Sequence, residues 1–421
     1  MIQPRVCLIS PGHVASNPRL VKEADALESA GFHVRVVAGN YMAAIQPLDQ
    51  TILSQARWSW VQVGADQKLN YLRQRAIQEA AKKVASTGWM PHLSIATWAH
   101  SPVSRQLALA AMAEQADLYI AHCLAALPAA AWAAQKHQAR LGFDAEDFHP
   151  GELPNIPQNR VEIRVRHHLE QSLLPQCHHL TAASPLIAEA YRNHYGVQMR
   201  PILNVFPLSE APPSPDWQQK IPVEDRMNQR FGPEPSLYWF SQTIGPGRGL
   251  ETIIRAMGKM QTRVRLHLRG MLATGYESTL RQLAKSVGVN DYLHFLPSAP
   301  PAEMVCLAAY HDIGLSLEQT EPLNRAICLT NKIFVYLLAG LPVVMSKTPA
   351  QEKLSHQLGE AALVIGDQPA EIATSLDRWL RHPEKLREQQ QKAWHSGRET
   401  YNWDREKLKF LDVIAQALNL V

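Results

Sequence analysis

Short apolar runs alternate with helical patterns along nearly the whole chain, and this rhythm limits the possible folds more than any other feature. The predicted strands are 5–10, 33–39, 117–122, 140–146, 179–184, 236–242, 263–270, 292–297, 312–317 and 341–346. Strands that alternate with helices of about 10–15 residues indicate βαβ units and a parallel sheet. The sequence therefore predicts the α/β class.

The rhythm runs twice, once in each half of the 421 residues, and a chain of this length exceeds one ordinary core. Two doubly wound, Rossmann-like domains are therefore predicted, at 1–208 and 209–400. The stretch SEAPPSPDW (209–217) carries three prolines and is typical of a stiff connector. Ligands of such sheets bind beyond the carboxyl ends of the strands, so a cleft between the domains is the expected site.

Composition narrows the class of protein. The five cysteines are scattered and form no C-x-x-C, which suits reduced thiols in a cytoplasmic protein and argues against a disulfide framework or a zinc site. No secretory signal is apparent at the N-terminus, and no apolar run approaches the length of a membrane-spanning helix. A net charge of +4 is weak evidence for a polyanionic partner, and no nucleic acid is expected.

A basic helical stretch at 68–83 has two interpretations. It carries Lys68, Arg73, Arg75, Lys82 and Lys83. It is either a solvated helix face or a surface for an anionic membrane. The second interpretation predicts peripheral attachment at the inner membrane face.

The loop SQTIGPGRGLETIIRAM (241–257) follows a predicted strand and opens a helix. Gly245, Gly247 and Gly249 surround Arg248 there. Glycines let a backbone approach a ligand closely, a helix start offers free N–H groups, and an arginine fork suits phosphate oxygens. The alternative is a tight turn with a surface arginine. The spacing fits neither a dinucleotide fingerprint nor a P-loop.

A second helix start lies in LTNKIFVYLLAGLPVV (329–344), where Thr330 is the predicted N-cap. The N–H groups of Asn331, Lys332 and Ile333 would then be free to bind an anion. The alternative is a capped core helix whose Lys332 reaches solvent. Two such helix starts in one domain point to a diphosphate.

These motifs together resemble the GT-B glycosyltransferases, specifically the retaining family 4. WFSQTIGPGRGLE and LTNKIFVYLLAGLPVV resemble its nucleotide-binding elements, and GHVASNPRLVKEADALESAGFHVRVVA resembles its N-terminal loop and helix. ADLYIAHCLAALPAAA, LTAASPLIAEAYRNHYGV and YNWDREKLKFL match further elements. The resemblance implies two domains facing a cleft, with 401–421 as a closing helix that crosses back to the N-terminal domain.

The resemblance also implies roles for particular residues. Arg248 matches the residue that holds the donor diphosphate, and the 330–333 backbone matches the helix start that receives phosphate. His122 matches a histidine that contacts the donor sugar, and Gly12 a glycine turn near the phosphates. The loop after Phe295, beginning at Leu296, matches the nucleobase site.

The chain departs from the family in its charged residues. A second basic residue usually stands where this chain has Gln242 or Thr243, and we expect Arg269 to replace it. The family's two glutamates fall on Ile327 and Val335.

One of these carboxylates has candidate substitutes. Glu318 and Glu321 lie in the loop just before Ile327 and are expected to replace the first glutamate of the family. No residue is expected to replace the second glutamate, at Val335.

An acidic run, Asp144, Glu146 and Asp147, follows a predicted strand and is a candidate for acceptor binding or acid/base chemistry; a helix-capping cluster is the alternative. No D-x-D motif occurs, which agrees with an enzyme that needs neither a metal nor another cofactor.

The expected function is transfer of a hexosyl group, with retention, from a nucleotide diphosphate sugar to a cell-surface glycan or lipid-linked acceptor. The alternatives are a non-catalytic GT-B binding or regulatory protein and a nucleotide-sugar epimerase.

Overall fold

The computed structural model describes residues 3–64, 68–88, 90, 92–214, 224, 228 and 230–420, with the side chains of 68–71 excepted. The side chain of Lys68 and positions 215–217 of the expected connector therefore lie outside the described residues. The chain divides into two compact units, Met1–Ile202 with Pro322–Asn324 and Lys407–Val421, and Leu203–Glu321 with Arg325–Glu406. The boundaries expected at 208/209 and 400/401 stay predictions.

The first unit contains a parallel sheet whose strands alternate with helices. Its strands are β1 (Arg5–Ser10), β2 (His33–Gly39), β3 (Ser59–Val63), β4 (Leu118–His122), β5 (Arg140–Ala145), β6 (His179–Ala182) and β7 (Arg200–Pro201). Its helices are α1 (Pro18–Ser29), α2 (Gln46–Leu53), α3 (Lys68–Ser86), α4 (Leu93–His100), α5 (Ser104–Ala111), α6 (Leu127–His137), α7 (Arg160–Leu173) and α8 (Pro185–Tyr195).

The second unit repeats this plan with six strands. They are β8 (Ser236–Ile244), β9 (Arg265–Leu272), β10 (Leu293–Leu296), β11 (Ile313–Ser316), β12 (Val343–Ser346) and β13 (Ala362–Ile365). The helices that follow are α9 (Leu250–Met257), α10 (Tyr276–Ser286), α11 (Met304–Ala308), α12 (Leu323–Ile327), α13 (Asn331–Ala339), α14 (Pro349–Leu358), α15 (Pro369–Leu380) and α16 (Pro383–Glu399). The last helix, α17 (Trp403–Ala417), belongs mostly to the first unit.

Strand order confirms the predicted doubly wound architecture. The first sheet runs β3-β2-β1-β4-β5-β6-β7 and the second β10-β9-β8-β11-β12-β13, and the described strand pairs are parallel. The order reverses between β1 and β4 and again between β8 and β11. Loops diverge at such points and leave room for a ligand beyond the strand ends.

Three helices begin with the same local device, a capping side chain followed by proline. The pairs are Asn17-Pro18 at α1, Ser184-Pro185 at α8 and Thr348-Pro349 at α14. In each case the side-chain oxygen accepts a hydrogen bond from the backbone N–H three residues later. Proline fits the first helical position because its missing N–H would be unpaired there in any case.

Helix α13 is deeply buried in the second unit. Its residues from Ile333 to Leu338 are fully buried, and it ends at Gly340, whose φ of 79° allows the left-handed cap. Helix α16 packs against it closely, because a Cβ on Gly397 would lie 2.7 Å from the Leu337 carbonyl group. Burial of each large apolar side chain here stabilises the fold by about 1.5–3 kcal/mol.

Three strands were missed in the sequence. The residues of β3 and β13 are mostly half-buried or exposed, and β7 is only two residues long. A short edge strand without strict alternation gives little periodic signal. Among the described residues no helix is long and apolar enough to cross a membrane.

A column of stacked rings crosses one face of the second sheet. Tyr238 stacks on His311 with ring centroids 4.3 Å apart, His311 lies 4.7 Å from His267, and His267 stacks on His294 at 5.0 Å. Burial, together with the charge of His294, lowers the pKa of His267 to about 3. His267 is therefore neutral when the protein is folded and donates its Nε2 hydrogen to the Arg230 carbonyl at 3.0 Å.

Because this depressed pKa lies below that of an unfolded histidine, stability should fall as the pH drops below about 6.5. Between about pH 7.5 and pH 5, the free energy of unfolding should fall in both proteins. We expect the fall to be about 2 kcal/mol larger in the wild type than in His267→Gln, because only the wild type must keep the His267 ring neutral. Urea denaturation at both pH values measures the difference. The exposed His382 supplies the control, His382→Gln, and parallel pH profiles for wild type and His267→Gln would contradict the prediction.

Candidate functional site

The glycine-rich turn between β8 and α9 depends on two of its three predicted glycines. Gly247 and Gly249 both have φ near 71°, and a Cβ on Gly249 would lie 2.9 Å from the Leu317 Cβ. Any side chain at 249 would therefore push the turn away from the end of β11. Gly245 has neither restriction, since a Cβ there meets only ordinary contacts.

Arg248 projects from this turn at the start of α9. It is half-buried, and it makes no hydrogen bond or ion pair with the part of the chain that the structure describes. No described side chain caps the first turn of α9, whose N-cap is Gly249. The turn thus combines free backbone donors with an uncommitted guanidinium, as an anion site requires.

The start of α13 differs in detail from the prediction. Thr330 occupies the N-cap position with extended backbone, but its hydroxyl caps no helix N–H and instead lies 3.4 Å from the Ser316 hydroxyl. Thr330 is thus the N-cap, as predicted, but the Ile333 N–H, which was expected to be free, donates to the Thr330 carbonyl at 3.2 Å. The N–H groups of Asn331 and Lys332 therefore remain available to a ligand.

Lys332 does not reach solvent, contrary to the alternative considered from the sequence. Its side chain is buried, with Nζ 3.1 Å from Glu318 Oε1 and 5.9 Å from the centroid of the Trp239 ring. Burial would raise the pKa of Glu318, but the charges of Lys332, Arg248 and Arg325 hold it below its usual value. The first turn of α13 therefore carries an internal ion pair.

A pocket of about 480 Å³ lies at the carboxyl ends of β11, β12 and β13. Its lining includes Gly249, Glu318, Glu321, Lys347 and Asp367. Two residues predicted to bind the donor, Gly249 and Glu321, thus come together at the same strand ends.

Arg269 fixes the loop that follows β10. Its Nε donates to the Tyr238 hydroxyl and its Nη1 to the Pro297 carbonyl, each at 2.8 Å. Leu296, at the end of β10, is half-buried beside that carbonyl. Because Nη1 of Arg269 binds the loop after β10, Arg269 shapes the predicted nucleobase site. Its expected role as the replacement for a basic residue at 242 or 243 stays a prediction.

In the first unit the loop after β1 is held by its neighbours. Gly12 accepts a hydrogen bond from the Gly39 N–H at 2.9 Å, and its own N–H donates to the Ser10 hydroxyl at 3.3 Å. His13 is buried beside it, with Nδ1 2.7 Å from Asp49 Oδ2. Its Nε2 accepts from the N–H groups of Tyr41 and Met42. Sequence reasoning missed His13, which ties the loop after β2 to the predicted glycine turn.

His122 ends β4 and is completely buried among carboxylates. Its Nε2 lies 3.4 Å from Glu23, and its Nδ1 lies 3.3 Å from Glu146 and 3.4 Å from Asp144. Burial alone would lower the pKa of His122, but the charge of Glu23, hydrogen bonds to Glu146 and Glu23, and the charge of Asp144 raise it to about 10. The surrounding carboxylates therefore favour the protonated form of His122.

Arg19 supplies the second positive charge of this cluster. Its guanidinium donates to both carboxylate oxygens of Asp144, at 2.6 and 2.7 Å, and to the Ile202 carbonyl at 2.6 Å. Its Nε also lies 3.3 Å from Glu23. Burial opposes ionisation of Asp144, but Arg19 and His122 hold its pKa well below the usual range. Burial and the charge of Asp144 raise the pKa of Glu23. Glu23, His122 and Asp144 form a group of possible metal ligands.

The three predicted acidic residues have different environments. Asp144 is buried and committed to Arg19, and Asp147 accepts a hydrogen bond from the Asn324 amide at 2.6 Å. The side chain of Glu146 is 22 % exposed. Its Oε1 accepts a hydrogen bond from the Asn17 amide at 2.6 Å and also faces His122. Its Oε2 has no partner among the described residues.

Comparisons with known proteins identify the family. A family described as "Glycosyl transferase 4-like domain" matches residues 16–205, and one described as "Glycosyl transferase-like" matches residues 248–412. The chain belongs to the GT-B glycosyltransferases of group 1. No curated protein matches it in sequence.

Solved structures resemble this glycosyltransferase over its full length. HepE from Anabaena, in complex with UDP and glucose, is 16 % identical, with a TM-score of 0.72 over 98 % of this chain and 100 % of that chain. Sucrose-phosphate synthase from Thermosynechococcus elongatus is 15 % identical, with a TM-score of 0.71 over 100 % of both chains. WaaG, a glycosyltransferase involved in lipopolysaccharide biosynthesis, is 14 % identical, with a TM-score of 0.61 over 97 % of this chain and 99 % of that chain. Identities this low show the shared fold.

The glycosyltransferase buries apolar side chains at the two positions where the resemblance led us to expect carboxylates. Ile327 is 8 % exposed, and Val335 is fully buried within α13. Of the candidate replacements, Glu318 is ion-paired and Glu321 is exposed at the pocket.

The Arg19–Asp144 pair should be a large contributor to stability. Asp144→Asn removes the charge that binds both sides of a buried guanidinium, and we expect a loss of about 3–5 kcal/mol in the free energy of unfolding. Urea denaturation followed by circular dichroism measures it. Glu277→Gln, which removes the exposed pair with Arg281, is the control and should cost less than about 1 kcal/mol. Equal small losses for both variants would refute the prediction.

Proposed function

We propose that this glycosyltransferase transfers a hexosyl group, with retention, from a nucleotide diphosphate sugar to a cell-surface glycan or lipid-linked acceptor. One observation carries the proposal: an uncommitted Arg248 on a glycine-rich turn at the start of α9, with the uncapped start of α13 in the same unit. Two helix N-termini and a guanidinium suit the charge and spacing of a diphosphate.

UDP-linked sugars are the first donors to test. The Anabaena HepE structures contain UDP with glucose in one case and UDP-glucose in another, and their fold is the one found here. The loop that Arg269 holds after β10 would receive the base through backbone groups at Leu296.

The departing diphosphate would be stabilised by the protein itself. Arg248 and the partial positive charges of the two helix starts face the charge that develops on the leaving group, in a partly buried setting where such interactions are strong. We therefore propose a reaction that needs no metal and no other cofactor.

Glu146 is our candidate for the residue that meets the acceptor. Its Oε1 accepts a hydrogen bond from Asn17 and faces His122, which leaves Oε2 to accept a hydrogen bond from an attacking hydroxyl. Asp144 would instead support the site, because both of its oxygens are bound to Arg19. Asp147 holds the Asn324 amide through Oδ1. A contact of His122 with the donor sugar stays a prediction, since its ring nitrogens face carboxylates.

The non-catalytic alternative rests on the apolar residues at 327 and 335, which remove two expected carboxylates from the donor site. A protein that binds UDP but neither transfers nor hydrolyses any nucleotide sugar would fit it.

Location near an anionic membrane surface, in the cytoplasm, is also proposed. Helix α3 exposes Arg73, Arg75 and Lys83. Exposure of these residues fits both interpretations, a solvated helix face and a contact with a membrane. Sedimentation with anionic liposomes separates the two interpretations.

Arg248 should be required for donor binding. We expect Arg248→Gln to weaken UDP binding about 10- to 100-fold, since a hydrogen bond to a charged group contributes about 1.5–3 kcal/mol. Isothermal titration calorimetry with UDP measures the loss. Arg255→Gln, in the exposed last turn of the same helix, is the matched control and should bind UDP like the wild type. If the wild type binds no nucleoside diphosphate, the proposed function is wrong.

Glu146 should matter for turnover and not for donor affinity. Glu146→Gln is expected to slow hydrolysis of UDP-glucose, in which water replaces the acceptor, by about 10²- to 10⁴-fold. Its affinity for UDP should stay within about twofold of the wild type, because the residue meets the attacking hydroxyl and not the diphosphate. The exposed Glu114 supplies the control, Glu114→Gln. Unchanged hydrolysis in Glu146→Gln would exclude this role, and proton NMR of the released sugar reports whether configuration is retained.

A further inference from the structure

A second arginine lies against the glycine-rich turn, and the motifs of the sequence did not reveal it. Arg325 belongs to the short helix α12, in the connection between β11 and α13. Its Nη1 donates a hydrogen bond to the Gly247 carbonyl at 2.8 Å. A Cβ built on Gly247 would lie 3.7 Å from the same nitrogen. The guanidinium therefore contacts the residue directly before Arg248.

The turn, the end of β11 and the start of α13 form one continuous contact. Gly249 packs against Leu317, the residue before Glu318, and Glu318 is paired with Lys332 in the first turn of α13. Arg325 joins this group through Gly247. Residues far apart in sequence are thus brought to the same strand end.

The charges in this group do not balance. Arg248, Arg325 and Lys332 all act on the one buried carboxylate of Glu318, so positive charge is in excess even when the exposed Glu321 at the same pocket is counted. The N-termini of α9 and α13 add partial positive charge at the same place. A partly buried excess of positive charge is costly unless an anion neutralises it, and a diphosphate carries about the charge required.

We propose that Arg325 is the second diphosphate-binding cation of this glycosyltransferase, supplied by the loop after β11 in place of a basic residue at 242 or 243. This inference rests on the proposed function. Only Nη1 is used on Gly247, so the other N–H groups of the arginine fork can donate to phosphate oxygens.

The same reasoning separates Arg325 from Arg269, the replacement expected from the sequence. Arg269 is buried, and it spends Nε and Nη1 on the Tyr238 hydroxyl and the Pro297 carbonyl. Arg325 is half-buried and makes a single described hydrogen bond, to the turn that also carries Arg248. Its guanidinium therefore has both the position and the free donors.

Calorimetry with UDP and with UMP, on the full chain, tests the role of Arg325. We expect Arg325→Gln to weaken UDP binding about 10- to 100-fold while UMP binding changes only a few-fold, because UMP lacks the β-phosphate. Arg325→Lys keeps the charge and should recover most of the UDP affinity. Arg255→Gln is the control for removal of a nearby positive charge.

Each outcome has a distinct meaning. Equal losses of UDP and UMP affinity would show that Arg325 only holds the turn, and would overturn the inference. So would UDP binding by Arg325→Gln at the level of the wild type, or a loss in Arg325→Lys as large as in Arg248→Gln. These results leave the proposed function standing, whereas a wild type that binds no nucleoside diphosphate overturns the proposed function itself.

Discussion

The bidentate pair between Arg19 and Asp144 organises the whole ligand edge of the first unit. One guanidinium from α1 binds the carboxylate at the end of β5 and the carbonyl that follows β7. Asp144 also accepts from Thr181 on β6 and faces His122 on β4. Such a buried pair is stable only when nearly every donor and acceptor is satisfied. The ends of four neighbouring strands and α1 are therefore held in place by the need to keep two buried charges paired.

The second unit uses the opposite arrangement of charge. There a buried carboxylate, Glu318, is held by Lys332 and lies in the field of Arg248 and Arg325. The cluster in the first unit keeps its cations paired, whereas this one leaves positive charge unneutralised. The difference accounts for the roles proposed here: the first cluster positions a carboxylate, and the second attracts an anion.

Much of the fold follows from the sequence, because local signals agree with the tertiary structure. The run 329–344 predicts a buried helix closed by Gly340, and α13 occupies Asn331–Ala339 with that glycine in the left-handed region. Strands β3 and β13 escaped prediction because an edge strand need not alternate. The glycine-rich turn was also found from local sequence, since its backbone needs glycine at two positions.

The site residues that sequence reasoning missed are those whose partners lie far away in the chain. Arg19 and Glu23 share the face of α1 that also carries Leu20, Ala24 and Leu27, and a charged pair on an apolar face is a signal that would have found them. Neither the burial of Lys332 nor the contact of Arg325 has any such local signal.

Electrostatic requirements explain how a site can keep its chemistry while its motif changes. A diphosphate needs positive charge within a few ångströms, but Coulomb interaction does not specify which strand or loop delivers it. Positions 242 and 243 lie on β8, whereas Arg325 comes from the connection after β11, and the contact with Gly247 brings it to the same turn. The strand order makes this exchange possible, since β8 and β11 are neighbours in the sheet. A loop that follows the neighbouring strand can therefore replace a charge that the sequence pattern would count as lost.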